Sequence, residues 1–157
     1  MVQPAKEAAE KPGFYFTSQF QNHDAPVGYE GIGREIVQQI PDGIDAFCGA
    51  VGGAGRVMGS SKILKSQWPK THVVVFESAS SPREPTAWSA LGSGLYDETR
   101  SVPEDESRKM CRRLARDEGL LVGTSTGMNV SAAAELAKKL GPGKKVSLLP
   151  ATLGSST

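Results

Sequence analysis

Two glycine-rich stretches carry the residue types and spacing that can hold an anion. The first, "AVGGAGRVMG", covers residues 50–59 and follows the apolar run "IDAFCGAV". Glycine lets the backbone approach a ligand closely and adopt positive φ. A strand that ends in such a loop and opens a helix turns unpaired N–H groups toward a phosphate. Arg56 either adds charge to that phosphate or lies in solvent. The alternative is a tight strand-to-helix turn with no ligand. The loop is not a dinucleotide fingerprint, which needs G-x-G-x-x-G with an acidic residue about 20 positions on, and no Gly-Lys-Ser/Thr makes it a Walker loop. The second stretch, "GTSTG" at residues 123–127, sets Thr124, Ser125 and Thr126 ahead of an alanine-rich helix. Its hydroxyls and open amides either meet an anion or a cofactor ring, or simply cap the helix. Two glycine loops on neighbouring strands give weight to a shared ligand. G-x-S-x-G also matches a nucleophile elbow. The only histidines, His23 and His72, precede Ser125, whereas that fold places the triad histidine after the serine.

The elements that position these loops alternate. Residues 3–11 read as a short polar helix. In "GYEGIGREIVQQI" the recurrence of Ile32, Ile36 and Ile40 predicts a helix with one apolar face, ended by Pro41, Asp42 and Gly43. "IDAFCGAV" predicts a strand. The residues after the first glycine loop predict a helix facing a core with Val57, Ile63 and Leu64. "HVVVFES" predicts a strand buried on both faces. Residues 79–101 are rich in Pro and Ser and read as a long surface loop. "VPEDESRKMCRRLARDEG" predicts a helix with acids first, arginines later and Gly119 as its C-cap. "LLV" is then expected as a third strand before the second glycine loop and its helix, and "KKVSLLPAT" as the last. Strands alternating with helices specify an α/β fold, a parallel sheet with crossover helices, with ligands at the carboxyl ends of the strands.

Composition narrows the functional class. The 157 residues carry a net charge of +1, so no strong field draws nucleic acid or an anionic membrane. Apolar runs fall short of a membrane span of roughly 20 residues, and the first residues lack a secretory h-region. Cys48 and Cys111 form no metal pattern and no disulfide framework. Two reduced thiols in a cytoplasmic protein are the expectation.

Several segments together carry a more specific signal. "AKEAAEKPGFYFTSQFQN", "GIGREI", "DAFCGAVGGAGRVMG", "VVVFESASSP" and "DEGLLVGTSTGMNVSAAAELAKKLGPGKKV" stand in the same order as their counterparts in the cysteine synthase (O-acetylserine sulfhydrylase) family, which they resemble. That family belongs to the fold type II pyridoxal-phosphate enzymes, which include cystathionine β-synthase. The resemblance implies a large cofactor domain over residues 31–157 and a remnant of a small domain over residues 1–30. It implies pyridoxal phosphate as cofactor and an amino-acid substrate. Gly52, Gly53, Ala54, Gly55 and Arg56 match the family's G-T-G-G-T phosphate loop, with Gly53 and Arg56 in place of its threonines. Gly123 and Ser125 match the stretch beside the cofactor. Thr152 matches the residue at the pyridine nitrogen, and Gln19 the glutamine at the substrate carboxylate. The family's Schiff-base lysine has no counterpart in this chain, and "REPTAWSALGSGLY" stands where the family has a longer segment. The resemblance therefore implies the C-terminal portion of such an enzyme, inactive alone. A homodimer or a complementary N-terminal half is its expected partner, and a non-catalytic binding or regulatory fragment is the alternative.

Overall fold

The computed structural model describes residues 2–17, 24–51, 55–79 and 94–150. The order of elements is α1 (Val2–Ala9), α2 (Asp24–Gln39), β1 (Ala46–Ala50), α3 (Gly55–Gln67), β2 (His72–Ser78), β3 (Glu98–Val102), α4 (Glu104–Glu118), α5 (Thr124–Leu140) and β4 (Val146–Leu148). The strands form one parallel sheet in the order β3-β2-β1-β4. This is the α/β architecture expected from the sequence.

Strand periodicity sorts the core into two layers. On one face Phe47, Val73 and Val75 pack against Val57 and Leu64 of α3, with Ile32, Ile36 and Val37 of α2, and Ile40 just after it, outside them. On the other face Ala46, Cys48, Val74 and Phe76 pack against Met128, Ala132, Ala133 and Leu136 of α5. Successive strand residues point to opposite faces, so both layers are read from the same short stretches of β1 and β2. The double burial explains the continuous apolar runs in both strands.

Two expectations are corrected. The third strand is β3, inside the stretch read as a loop, and not "LLV". Leu120 and Leu121 are 47% and 69% exposed, and of this stretch between α4 and α5 only Val122 makes an isolated bridge, not a strand. "ETRSV" has no apolar run because it is an edge strand, held by its ladder to β2 and by polar contacts. Ser101 donates to Glu77 at 3.0 Å, and Val73 N–H donates to Asp97 just ahead of the strand. The second correction is the start of α2, at Asp24 and not at Gly28. Pro26 falls in its first turn, where a missing N–H loses no helical hydrogen bond.

The helix layers depend on close approach. A Cβ on Gly59 of α3 would strike the carbonyl oxygen of Pro26 and stand 2.9 Å from the Tyr29 backbone of α2. Glu30, nearly covered at this crossing, accepts hydrogen bonds from Lys62 at 2.7 Å and Arg34 at 2.5 Å. The bond from Lys62, more than any other contact, keeps its carboxyl below the ordinary range.

Gly59→Ala should therefore destabilise the domain by about 2–3 kcal/mol, because backbone blocks the methyl. Gly31→Ala, which meets nothing within 4 Å in the interior of α2, should stabilise it by about 0.5–1 kcal/mol through helix propensity. Denaturant unfolding of the two variants checks both signs.

Candidate functional site

The chain runs from β1 to β2 to β3 on one side of β1, then returns to place β4 on the other. The strand order reverses between β1 and β4. In open parallel sheets the crevice outside the carboxyl ends at such a reversal is where ligands bind. Helix α3, the next element after β1, begins there. Helix α5 begins at the same end of the sheet, on the opposite face. Its second turn reaches the end of β4, where Asn129 Nδ2 donates to the carbonyl of Leu149 at 2.6 Å.

Both helix starts present donors. Gly123 is the N-cap of α5, with φ −75° and ψ 164° and no side-chain hydrogen bond capping the helix. The first amides of a helix have no carbonyl partner within it. Ser125 is exposed in the first turn, while Thr126 is buried. The second glycine of the motif, Gly127, serves packing, since a Cβ there would strike Ser107 O and Cys111 Sγ of α4. On α3, Arg56 lies in the first turn and its Nη1 donates to the carbonyl of Pro150 at 3.2 Å. A guanidinium carries five N–H donors, and this bond uses one.

Of the sequence-derived candidates, Gly55, Arg56, Gly123 and Ser125 are thereby brought to one end of the sheet. Gly52, Gly53, Ala54, Thr152 and Gln19 lie outside the described residues. Asn129 escaped the sequence reading. Its signal is a carboxamide in the otherwise small and apolar "GMNVSAAAELA". The donor set, two helix starts with a cation and a hydroxyl, fits a phosphate-bearing ligand such as pyridoxal phosphate.

The nucleophile-elbow arrangement has no support from His72. It opens β2 at the amino end of the sheet, while Ser125 stands at the carboxyl end. His72 Nε2 lies 3.1 Å from Glu98 Oε2. Among the described residues no cluster of three or more His, Cys, Asp or Glu could hold a metal. Cys48 is buried in β1, and burial pushes its thiol up to about 12, which keeps it an unreactive thiol. A separate cleft of about 520 Å³ opens at the amino end, lined by Ile44, Trp68 and Thr71. Both aspartates that line it are paired, Asp45 with Lys144 at 2.8 Å and Asp42 with Lys145 at 3.6 Å.

Comparison with known proteins decides the family. The description "Pyridoxal-phosphate dependent enzyme" matches residues 1–150. The chain belongs to the pyridoxal-phosphate dependent enzyme family. It is 35% identical over 162 residues to a cysteine synthase of Staphylococcus aureus, covering 92% of this chain and 52% of that one. It is 33% identical to a probable cysteine synthase of Bacillus subtilis, covering 98% and 56%. The crystal structure of O-acetylserine dependent cystathionine beta-synthase from Helicobacter pylori superposes with a TM-score of 0.84 at 28% identity, covering 95% of this chain and 54% of that one. The chain spans about half the length of these relatives. The fold is that of the fold type II pyridoxal-phosphate enzymes, and the family depends on that cofactor. Among the described residues, no helix is long and apolar enough to cross a membrane.

Charge at the amino end has a measurable consequence. The hydrogen bond from Arg100 at 2.6 Å, with help from His72, holds Glu98 at about 2, below its usual 4.5. A depressed carboxyl stabilises the fold above its unfolded value and loses that contribution as pH falls through the folded one. Side-chain exposure of 32% for Glu98 limits the gain, so about 1 kcal/mol is expected. Glu98→Gln should lower stability at pH 7 by that amount and flatten the loss between about pH 4.5 and 2, as read by denaturant midpoints across pH.

Proposed function

We propose that this chain forms the cofactor-holding α/β portion of an enzyme of the cysteine synthase type, in which O-acetylserine and sulfide give L-cysteine and acetate by β-replacement. What carries the reading is the meeting of the α3 and α5 starts at the β1/β4 reversal, with Arg56 fixed there by Pro150. Bound pyridoxal phosphate supplies an electron sink for chemistry at the α-carbon of an amino acid. The amides of Gly52, Gly53, Ala54 and Gly55, with the Arg56 guanidinium, hold its phosphate. Arg56 replaces a hydroxyl contact of the family with a full charge, and charge-assisted hydrogen bonds are about twice as strong as neutral ones. Gly123 and Ser125 border the ring, Thr152 meets the pyridine nitrogen, and Gln19 meets the substrate carboxylate.

A second reading, a non-catalytic portion that acts with a complementary half or a second copy, is favoured by where the lysines stand. Lys62 pairs with Glu30 and Lys65 with Asp97 along α3. Lys144 and Lys145 pair with aspartates at the amino end of the sheet, and Lys138 and Lys139 end α5 there. Lys70 precedes β2 at that same end. Lys109 is exposed on α4, and Lys6 and Lys11 lie in or beside α1. The lysines of α3 and of the amino end stand away from the crevice, and on this reading the chain contributes phosphate and ring contacts and leaves the covalent link to the cofactor to a lysine outside it. Exposed Phe14 and Tyr15, at 63% and 80%, offer apolar surface to such a partner.

Titration of the purified chain with pyridoxal phosphate tests both readings. Reversible binding is expected, and Arg56→Gln should weaken it roughly tenfold, the effect of losing a hydrogen bond to a charged group. Borohydride treatment at stoichiometric cofactor should leave no single lysine fully converted to its phosphopyridoxyl form. Absence of binding at millimolar cofactor would sink the cofactor assignment, and a stoichiometric reduced adduct on one lysine of this chain would show that the covalent link is made here.

A further inference from the structure

Asn129 is 2% exposed, on the face of α5 that otherwise buries Met128, Ala132, Ala133 and Leu136. A carboxamide in such a setting is unfavourable unless its groups are paired. Its Nδ2 is paired, with the carbonyl of Leu149, while its Oδ1 has no partner. A merely space-filling position would be served better by leucine or methionine. What the amide adds over either is the bond to Leu149.

That residue is the first beyond β4, where the ladder to β1 ends. Its own N–H donates to the carbonyl of Cys48 at 3.3 Å. Its carbonyl is taken by Asn129 of α5, on one face of the sheet, and the next carbonyl, Pro150, by Arg56 of α3, on the other. Three elements thus hold two consecutive residues at the reversal point. Pro150 has no N–H to add a fourth tie, so the side-chain donors decide where its carbonyl stands.

We propose that Asn129 is a positioning residue, which fixes the chain leaving β4 and, through Pro150, the guanidinium of Arg56 at the crevice. The consequence for pyridoxal phosphate rests on the function proposed above. The position of Arg56 itself does not.

Asn129→Ala removes the donor, and Asn129→Asp keeps the shape but turns an acceptor on the Leu149 carbonyl. Both should speed amide exchange at Leu149 roughly tenfold, with Val75 in the sheet centre unchanged, and shift the Arg56 Nε resonance. Pyridoxal phosphate affinity should fall roughly tenfold in parallel. In the Asp variant the fall should reverse toward acid pH relative to the unsubstituted chain, because a protonated carboxyl donates to Leu149 again. In the unsubstituted chain, the Asn129 carboxamide protons should resist exchange. Fast exchange of those protons would overturn the inference without any variant. So would folded variants that leave Leu149 and Arg56 unmoved, while variants that move both without changing the affinity of a chain that binds the cofactor would overturn the consequence for pyridoxal phosphate. If the unsubstituted chain binds no pyridoxal phosphate, the functional reading falls, while Leu149 exchange and the Arg56 resonance still decide the positioning role.

Discussion

The parallel pairing of β1 with both β2 and β4 is the constraint on which the rest depends. Ala46, Phe47 and Cys48 are fully buried because they have sheet on two sides and helices on two faces. Residues facing α5 from β1 are small, Ala46 and Cys48, and α5 answers with Ala132 and Ala133. The helix lies close enough for its second turn to meet the end of β4. Were those positions larger, α5 would stand off, and the contact from Asn129 to Leu149 would be lost with it. On the other face the large residue is Phe47, and α3 meets it with Val57 and Leu64.

Fixed helix positions follow from the same close packing. The α2/α3 crossing passes through Gly59 and Gly33, and the α4/α5 crossing through Gly127. Backbone meets backbone or short side chains at each, so neither helix can slide without a clash. What these fixed helices present at the carboxyl end of the sheet is therefore set in place before any ligand arrives. Preorganised donors need little ordering when an anion binds.

The two ends of the sheet differ in electrostatic character. The amino end holds paired charges: Asp45 with Lys144, Glu98 with Arg100 and His72, Asp97 with Lys65. These satisfy one another and fasten the edge strand. At the β1/β4 reversal the carboxyl end has the starts of α3 and α5, the Ser125 hydroxyl and an arginine with donors to spare, while the acids of the α4 start stand beyond β3. An anion is attracted to helix starts and to a cation with free donors, which the β1/β4 reversal provides.

By itself the sequence determined the parallel α/β class, the strands β1, β2 and β4, and the helices that bury apolar faces. Each of these rests on local periodicity or on a continuous apolar run, signals that neighbours in the chain carry among themselves. The glycine loops could be read for the same reason, since a strand followed by glycine and a helix is a local pattern. Only the tertiary structure decided that the polar "ETRSV" is a strand and the apolar "LLV" is not. An edge strand takes its stability from a partner far along the chain, Val74 pairing with Glu98, and no residue within it records that pairing. The roles of Gly127 as a packing contact and Asn129 as a tether were equally hidden. Both depend on which backbone lies opposite, a distance fixed by the crossing of helices and by the reversal of strand order between β1 and β4.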